Sequence, residues 1–183
     1  MQFSEDLKDN QKITSLTLTN SNIDSSMMVY LCQALCINQT ITTLSLYNNN
    51  INAKAMECLS EIFRINKTIW SLELNCNKIE NEGMKYLTDA LKVNQYVNNL
   101  ELINNEIIGD WLQYIGNILQ VNQHILILNL SNNKINIEGL KYLSNIFEIN
   151  HTVMLLYLDN ENIKMDHFSD VMKINPILSI LAR

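Results

Sequence analysis

A chain of 183 residues, 47% hydrophobic and only 17% charged, is long enough to bury a sizeable core and too apolar to stay disordered. Its formal net charge of −6 and pI near 5.0 oppose phosphate backbones and anionic lipid, which argues against nucleic acid and membrane and leaves basic or neutral partners. The polar start "MQFSEDLKDNQK" lacks the basic flank and apolar core of a secretory signal, and no run reaches membrane-spanning length, so a soluble cytoplasmic chain is expected.

The first predicted element is a half repeat over residues 1–12. Phe3, Leu7, Asn10 and Ile13 stand one step of 28 before Leu31, Leu35, Asn38 and Ile41. From residue 13 the chain repeats itself. Leu16, Leu44, Leu72, Leu100, Leu128 and Leu156 follow one another at a step of 28, and so do Leu18, Leu46, Leu74, Leu102, Leu130 and Leu158. Six repeats are expected, starting near 13, 41, 69, 97, 125 and 153, with a truncated seventh strand near 178–183 and the whole of 1–183 forming a single domain.

Within a repeat the apolar period changes. "LELNCNKI" (72–79) alternates every second residue, the mark of a short strand with one buried face, whereas "GMKYLTDALKVN" (83–94) spaces Met84, Leu87 and Leu91 for a helix. Each unit is therefore strand, turn, helix, turn. Ala55, Gly83 and Gly139 near the helix starts fit close packing there.

Two asparagine columns punctuate the units. Asn10, Asn38, Asn66, Asn94, Asn122 and Asn150, joined by Asn175 if the last helix is three residues short, close the helices. Asparagine tolerates the left-handed conformation that ends a helix, and its amide satisfies nearby backbone groups. Sequons such as "NQT" (38–40) and "NKT" (66–68) read as by-products of this column. After each strand comes Ser21, Asn49, Asn77, Asn105, Asn133 or Glu161. In a stack these side chains point inward beside unpaired backbone groups, so Asn49, Asn77, Asn105 and Asn133 are expected to form a buried ladder, with Asn132 exposed.

The pattern in "WSLELNCNKIENEGMKYLTDALKVNQYV" (70–97) resembles the leucine-rich repeat family, L-x-x-L-x-L-x-x-N-x-I, in its 28-residue ribonuclease-inhibitor-like class. The resemblance covers residues 3 to about 181. It implies an α/β fold, a right-handed leucine-rich-repeat solenoid or horseshoe, with a parallel β-sheet on the concave face and α-helices on the convex face. It also implies a protein-binding scaffold without a cofactor.

Residues alternating with the buried leucines would build the concave face. They include Thr43, Ser45 and Tyr47; Ser71, Glu73 and Asn75; Asn99, Glu101 and Ile103; Ile127 and Asn129; Leu155, Tyr157 and Asp159. Trp70 sits at the rim as a candidate anchor. Lysine and arginine are missing, so the face runs from hydroxyls through Glu73 and Glu101 to an apolar end. That combination suits a partner with a basic or mixed basic and apolar surface. "INPILSILAR" (174–183) resembles "INHTVMLLYL" (149–158), which would set Ile180 beside Leu155 and Ile127. Its strand edge would then pair with a second copy, making a homodimer, or be covered by the tail.

Remaining features read as packing. Tyr30, Tyr86, Tyr114 and Tyr142 form a helical column expected to pack between helices with hydroxyls in water. Trp111, in a column that otherwise holds Met27, Ala55, Gly83, Gly139 and His167, is expected to protrude or force a local shift. Cys32, Cys36, Cys58 and Cys76 show no CxxC and read as reduced packing thiols, not metal ligands. His124, His151 and His167 occupy unrelated repeat positions, and no phosphate loop, nucleophile motif or metal spacing is present. The expected function is a non-catalytic protein–protein interaction scaffold. Alternatives are a regulator or inhibitor of an enzyme such as a small GTPase or nuclease, and a self-assembling structural element. The Asn, Ile and Lys bias suits an AT-rich protist or an intracellular bacterium, in which case the chain would be a host-mimicking effector acting in the host cytosol.

Overall fold

The computed structural model describes residues 2–158 and 168–182. Helix α1 (Gln2–Asp9) is followed by β1 (Ser15–Thr17), α2 (Ser25–Leu35), β2 (Thr43–Ser45), α3 (Ala53–Ile65), β3 (Ser71–Glu73) and α4 (Asn81–Leu91). Then come β4 (Asn99–Glu101), α5 (Gly109–Leu119), β5 (Ile127–Asn129), α6 (Ile137–Phe147), β6 (Leu155–Leu158), α7 (Ser169–Ile174) and β7 (Ser179–Ala182). All seven strands form one parallel sheet in chain order, each helix serving as the crossover to the next strand. Leu16, Leu44, Leu72, Leu100, Leu128 and Leu156 lie side by side in register.

Two periods meet in one core. The second leucine of each strand pair (Leu46, Leu74, Leu102, Leu130) is buried with the helix-facing Met56, Leu59, Leu87, Leu112 and Leu143, so every unit hides its apolar face against its neighbours. Helix starts are capped by side chains where the sequence supplies them. Asp24 accepts from the N–H groups of Ser26 and Met27, Asn52 from Ala55, and Asn136 from Gly139. A Cβ on Gly83 would lie 3.0 Å from Ile79 Cγ2, and one on Gly139 would collide with Leu112, which explains the small residues there.

Some expectations need correction. The helix-end asparagines are not left-handed, and Asn66 has φ −70 and ψ 133. The positive-φ residues are instead Asn20, Asn48, Cys76, Asn104 and Asn132, in the turn after each strand, together with Asn22 and Glu106. There the chain must turn out of the sheet, and asparagine tolerates that conformation best among residues with a Cβ. Of the two outcomes open to Trp111, protrusion is not the one found: the ring is buried in the core, 5% exposed. Phe3 is exposed although Leu31, one step later, is buried.

The last strand is shifted by one residue from its anticipated register. Ile180 pairs with Leu156, not Leu155, and is buried, while Ser179 lies beside Leu155 and Leu181 beside Tyr157. A one-residue slip exchanges the two faces of a strand, and burial of Leu178 and Ile180 selects this register. The shortened loop has a local cost. Asn175 Oδ1 is buried without a hydrogen-bond partner, because the Leu178 N–H donates to the Asn175 main-chain carbonyl instead.

Candidate functional site

The concave face rests on the asparagine column after each strand. Asn77 Nδ2 donates to the carbonyls of Leu46, Leu74 and Asn75 at 2.9, 3.0 and 3.1 Å. Its Oδ1 accepts from the N–H groups of Asn49 and Ile51 in the preceding repeat at 3.2 and 3.3 Å. Asn49, Asn105 and Asn133 repeat this bridge, and all four are buried, while Asn132 is exposed. At the N-terminal end the shorter Ser21 is exposed; its N–H donates to Asn49 Oδ1 and its hydroxyl to the Thr19 carbonyl of its own turn. Glu161 and Asp159 lie outside the described residues.

The helix-end column builds a second ladder at the opposite rim. Asn94 Oδ1 accepts from the N–H groups of Tyr96 and Val97, while its Nδ2 donates to the Phe63 carbonyl at 2.7 Å. Asn38, Asn66, Asn122 and Asn150 use the same geometry and are buried. The sequence signal for cross-repeat bonding is an asparagine at every helix end with an apolar residue three positions on. A polar group this regular in a packed turn is there to bond.

At the centre of the face Glu73 and Glu101 stand opposite each other in register. Asn75 Nδ2 holds Glu101 Oε2 at 2.9 Å, and Asn75 Oδ1 accepts from the Ile103 N–H at 2.8 Å. Asn75 is only 5% exposed, so it positions Glu101 and does not present itself to solvent, contrary to its expected role as an accessible contact. Asn99 is half-buried. Its Nδ2 donates to Ser71 Oγ at 2.9 Å, and its buried Oδ1 has no partner. Ser45 and Ser71 are buried, which narrows the hydroxyl end of the face.

Toward the other end Ile103, Ile127, Asn129, Leu155 and Tyr157 are half-buried, Asn129 bonding the Ser131 N–H through Oδ1. Leu181 extends the apolar end beside Tyr157. Tyr47 and Trp70 are exposed near the margins. A hydrogen bond to the Cys76 thiol raises the Tyr47 hydroxyl above its ordinary pKa.

Burial, then the neighbouring Cys58 thiol, pushes the Cys32 thiol up, which marks it as packing rather than nucleophile. All four cysteines are free. Tyr142 lies over Gly116, where an added Cβ would fall 2.5 Å from its hydroxyl oxygen. Among the described residues no group of three or more His, Cys, Asp or Glu is placed to hold a metal ion, and no helix is long and apolar enough to cross a membrane.

A family model described as Leucine Rich repeat matches residues 38–60, 66–87 and 121–144. The solved structure of leiomodin-1 actin-binding site 2 is similar with TM-score 0.69 at 24% identity, over 81% of this chain and 87% of that one. The tropomodulin C-terminal domain from Caenorhabditis elegans is similar with TM-score 0.51 at 14% identity, over 96% of this chain and 92% of that one. At these identities the likeness is one of fold. None of the curated proteins matches the sequence. Three matched segments, a 28-residue step and one parallel sheet with a helix behind each connection together show a leucine-rich-repeat architecture.

Proposed function

We propose that the chain is a non-catalytic scaffold that receives a protein partner with a basic or mixed basic and apolar surface on its concave face. One observation supports this above all: Glu73 and Glu101 pair in register on a described face without lysine or arginine, bordered by Ile103, Ile127, Leu155 and Tyr157. Carboxylates directly opposite each other repel, and folding would be served by replacing either one. A guanidinium or ammonium group from a partner relieves that repulsion through charge-assisted hydrogen bonds. The adjoining aliphatic side chains then take an apolar side chain of the same partner, with Trp70 and Tyr47 as marginal anchors. A cytoplasmic setting fits the four free thiols.

A random peptide library selected on the immobilised whole chain tests this reading. Selected peptides are expected to combine Arg or Lys with a large apolar residue, and Glu73→Lys with Glu101→Lys is expected to weaken them at least tenfold, about 1.4 kcal/mol. Actin, the ligand that gives the similar leiomodin-1 site its name, is the first single protein to assay by the same comparison. Convergence on acidic peptides, or affinity untouched by the double reversal, overturns the proposal.

A further inference from the structure

A row of aliphatic side chains runs along the rim where each helix ends and the next strand begins. Ile37, Ile65, Val93, Val121, Ile149 and Ile174 are each between 52% and 66% exposed. Each immediately precedes an asparagine of the second ladder. Those amides hold the row together: Asn66 Nδ2 reaches the Asn38 carbonyl at 3.4 Å, Asn122 Nδ2 the Asn94 carbonyl at 3.0 Å, and Asn175 Nδ2 the Asn150 carbonyl at 2.9 Å. Equivalent residues are therefore neighbours, and the six form one continuous strip.

Folding does not account for the strip, since these side chains stay largely in water. At the opposite rim the exposed turn residues are polar, Asn20, Asn48, Asn104 and Asn132 among them. Single exposed apolar residues are ordinary, but a contiguous apolar strip on a polar molecule marks a contact surface.

We propose that this strip is a self-association surface on which two copies of the chain meet about a twofold axis with their strips antiparallel. Charge selects the occupant. Arg64 precedes Ile65, second from one end of the row, and Glu148 precedes Ile149, second from the other end. Antiparallel pairing sets Ile65 against Ile149 of the second copy and Val93 against Val121. Arg64 then faces Glu148 of the second copy, and the twofold axis repeats that ion pair. A parallel pairing would instead bring Arg64 of one copy toward Lys67 of the other, cation against cation.

Curvature selects the same arrangement. Strands stack at about 4.8 Å and helices at roughly 8–10 Å, so the row follows an arc. A twofold axis along the radius of that arc maps it onto itself with its ends exchanged, whereas parallel rows would bend away from each other. Arg64 already lies 3.3 Å from Glu61 of its own helix, and its guanidinium keeps further N–H donors for a second carboxylate. A strip six repeats long with its polar flanks is of the size needed to bury the ~800 Å² per partner typical of a stable interface. Both concave faces stay open, so this pairing stands or falls independently of partner binding there.

Sedimentation equilibrium on the whole chain, from micromolar to hundreds of micromolar, decides the matter. The mass is expected to rise from 21.2 kDa to twice that value. Val93→Glu with Val121→Glu is expected to stay monomeric with an unchanged far-ultraviolet circular dichroism spectrum. Arg64→Glu and Glu148→Arg are each expected to weaken the dimer roughly tenfold, and the two together to restore it. A monomeric wild type at every concentration, a dimer that survives the double valine change, or a charge swap that fails to recover affinity overturns the proposal. So does a monomeric wild type that sediments with phosphatidylserine vesicles through Val93 and Val121, which would reassign the strip to a lipid surface.

Discussion

The backbone N–H of Asn77 donates to Oδ1 of Asn105 at 3.1 Å, while Nδ2 of Asn105 returns to the Leu74 carbonyl at 3.0 Å. One amide thus closes two turns in two different repeats. Removing it strands the buried Asn77 N–H and takes one of their donors from the Leu74 and Ile103 carbonyls. Asn105→Ala is expected to lower unfolding stability by roughly 1–3 kcal/mol, read from the midpoint of a urea titration. An unchanged midpoint would show that water replaces the ladder at no cost.

The helix-end ladder makes a different forecast, because two accounts of its asparagines compete. If Asn66 served as a left-handed cap, glycine would replace it with little loss. Its φ of −70 and its bonds to the Leu35 and Asn38 carbonyls assign it to cross-repeat bonding instead. Asn66→Gly is therefore expected to be at least as damaging as Asn66→Ala, by about 1–3 kcal/mol. Thermal melts of the two variants side by side provide the check.

Trp111 is part of the core, so its loss leaves a cavity and not a missing contact for a partner. Trp111→Ala is expected to cost about 3–5 kcal/mol. Fluorescence offers a second measure, since Trp70 is 45% exposed and Trp111 only 5%. Acrylamide should quench most of the accessible emission in the wild type and little of it in Trp70→Phe.

Asp24 caps helix α2, and its hydrogen bonds from the Met27 and Ser26 backbones and the Ser26 hydroxyl hold its carboxyl below the ordinary value of 3.8. A depressed folded pKa means the stabilisation is complete above 3.8 and fades as pH falls through the lower folded value. Asp24→Ala is expected to melt below wild type at neutral pH, with the gap closing as the carboxyl is protonated. Melting curves at a series of pH values from neutral to strongly acidic follow it directly.

The sheet could be anticipated because its signal is redundant: Leu72, Leu100 and Leu128 announce register, and Glu73 opposite Glu101 follows once register is known. Failures came where one position answers to two neighbours at once. Asn75 alternates outward like any concave residue, yet the Glu101 carboxylate and the Ile103 N–H draw it under cover. Trp111 occupies a column that is alanine or glycine in three of the other repeats, and bulk alone does not say whether a ring turns outward or finds room inside. Ile180 depended on a single deleted residue between Asn175 and β7, too small a change for an alignment of two short segments to resolve. The exposed Ile37-to-Ile174 strip escaped notice for a simpler reason: hydropathy marks residues that prefer burial, not those that obtain it.

The sequons of the helix-end column, which begin at Asn38, Asn66 and Asn150, carry one more implication. Each acceptor nitrogen is already bonded to a carbonyl of the preceding repeat, and none of these residues is more than 3% exposed. A sugar attached there during passage through a glycosylating compartment would prise adjacent coils apart before they could close. A glycan on any of these three nitrogens is thus incompatible with the bonded, buried column of the folded chain.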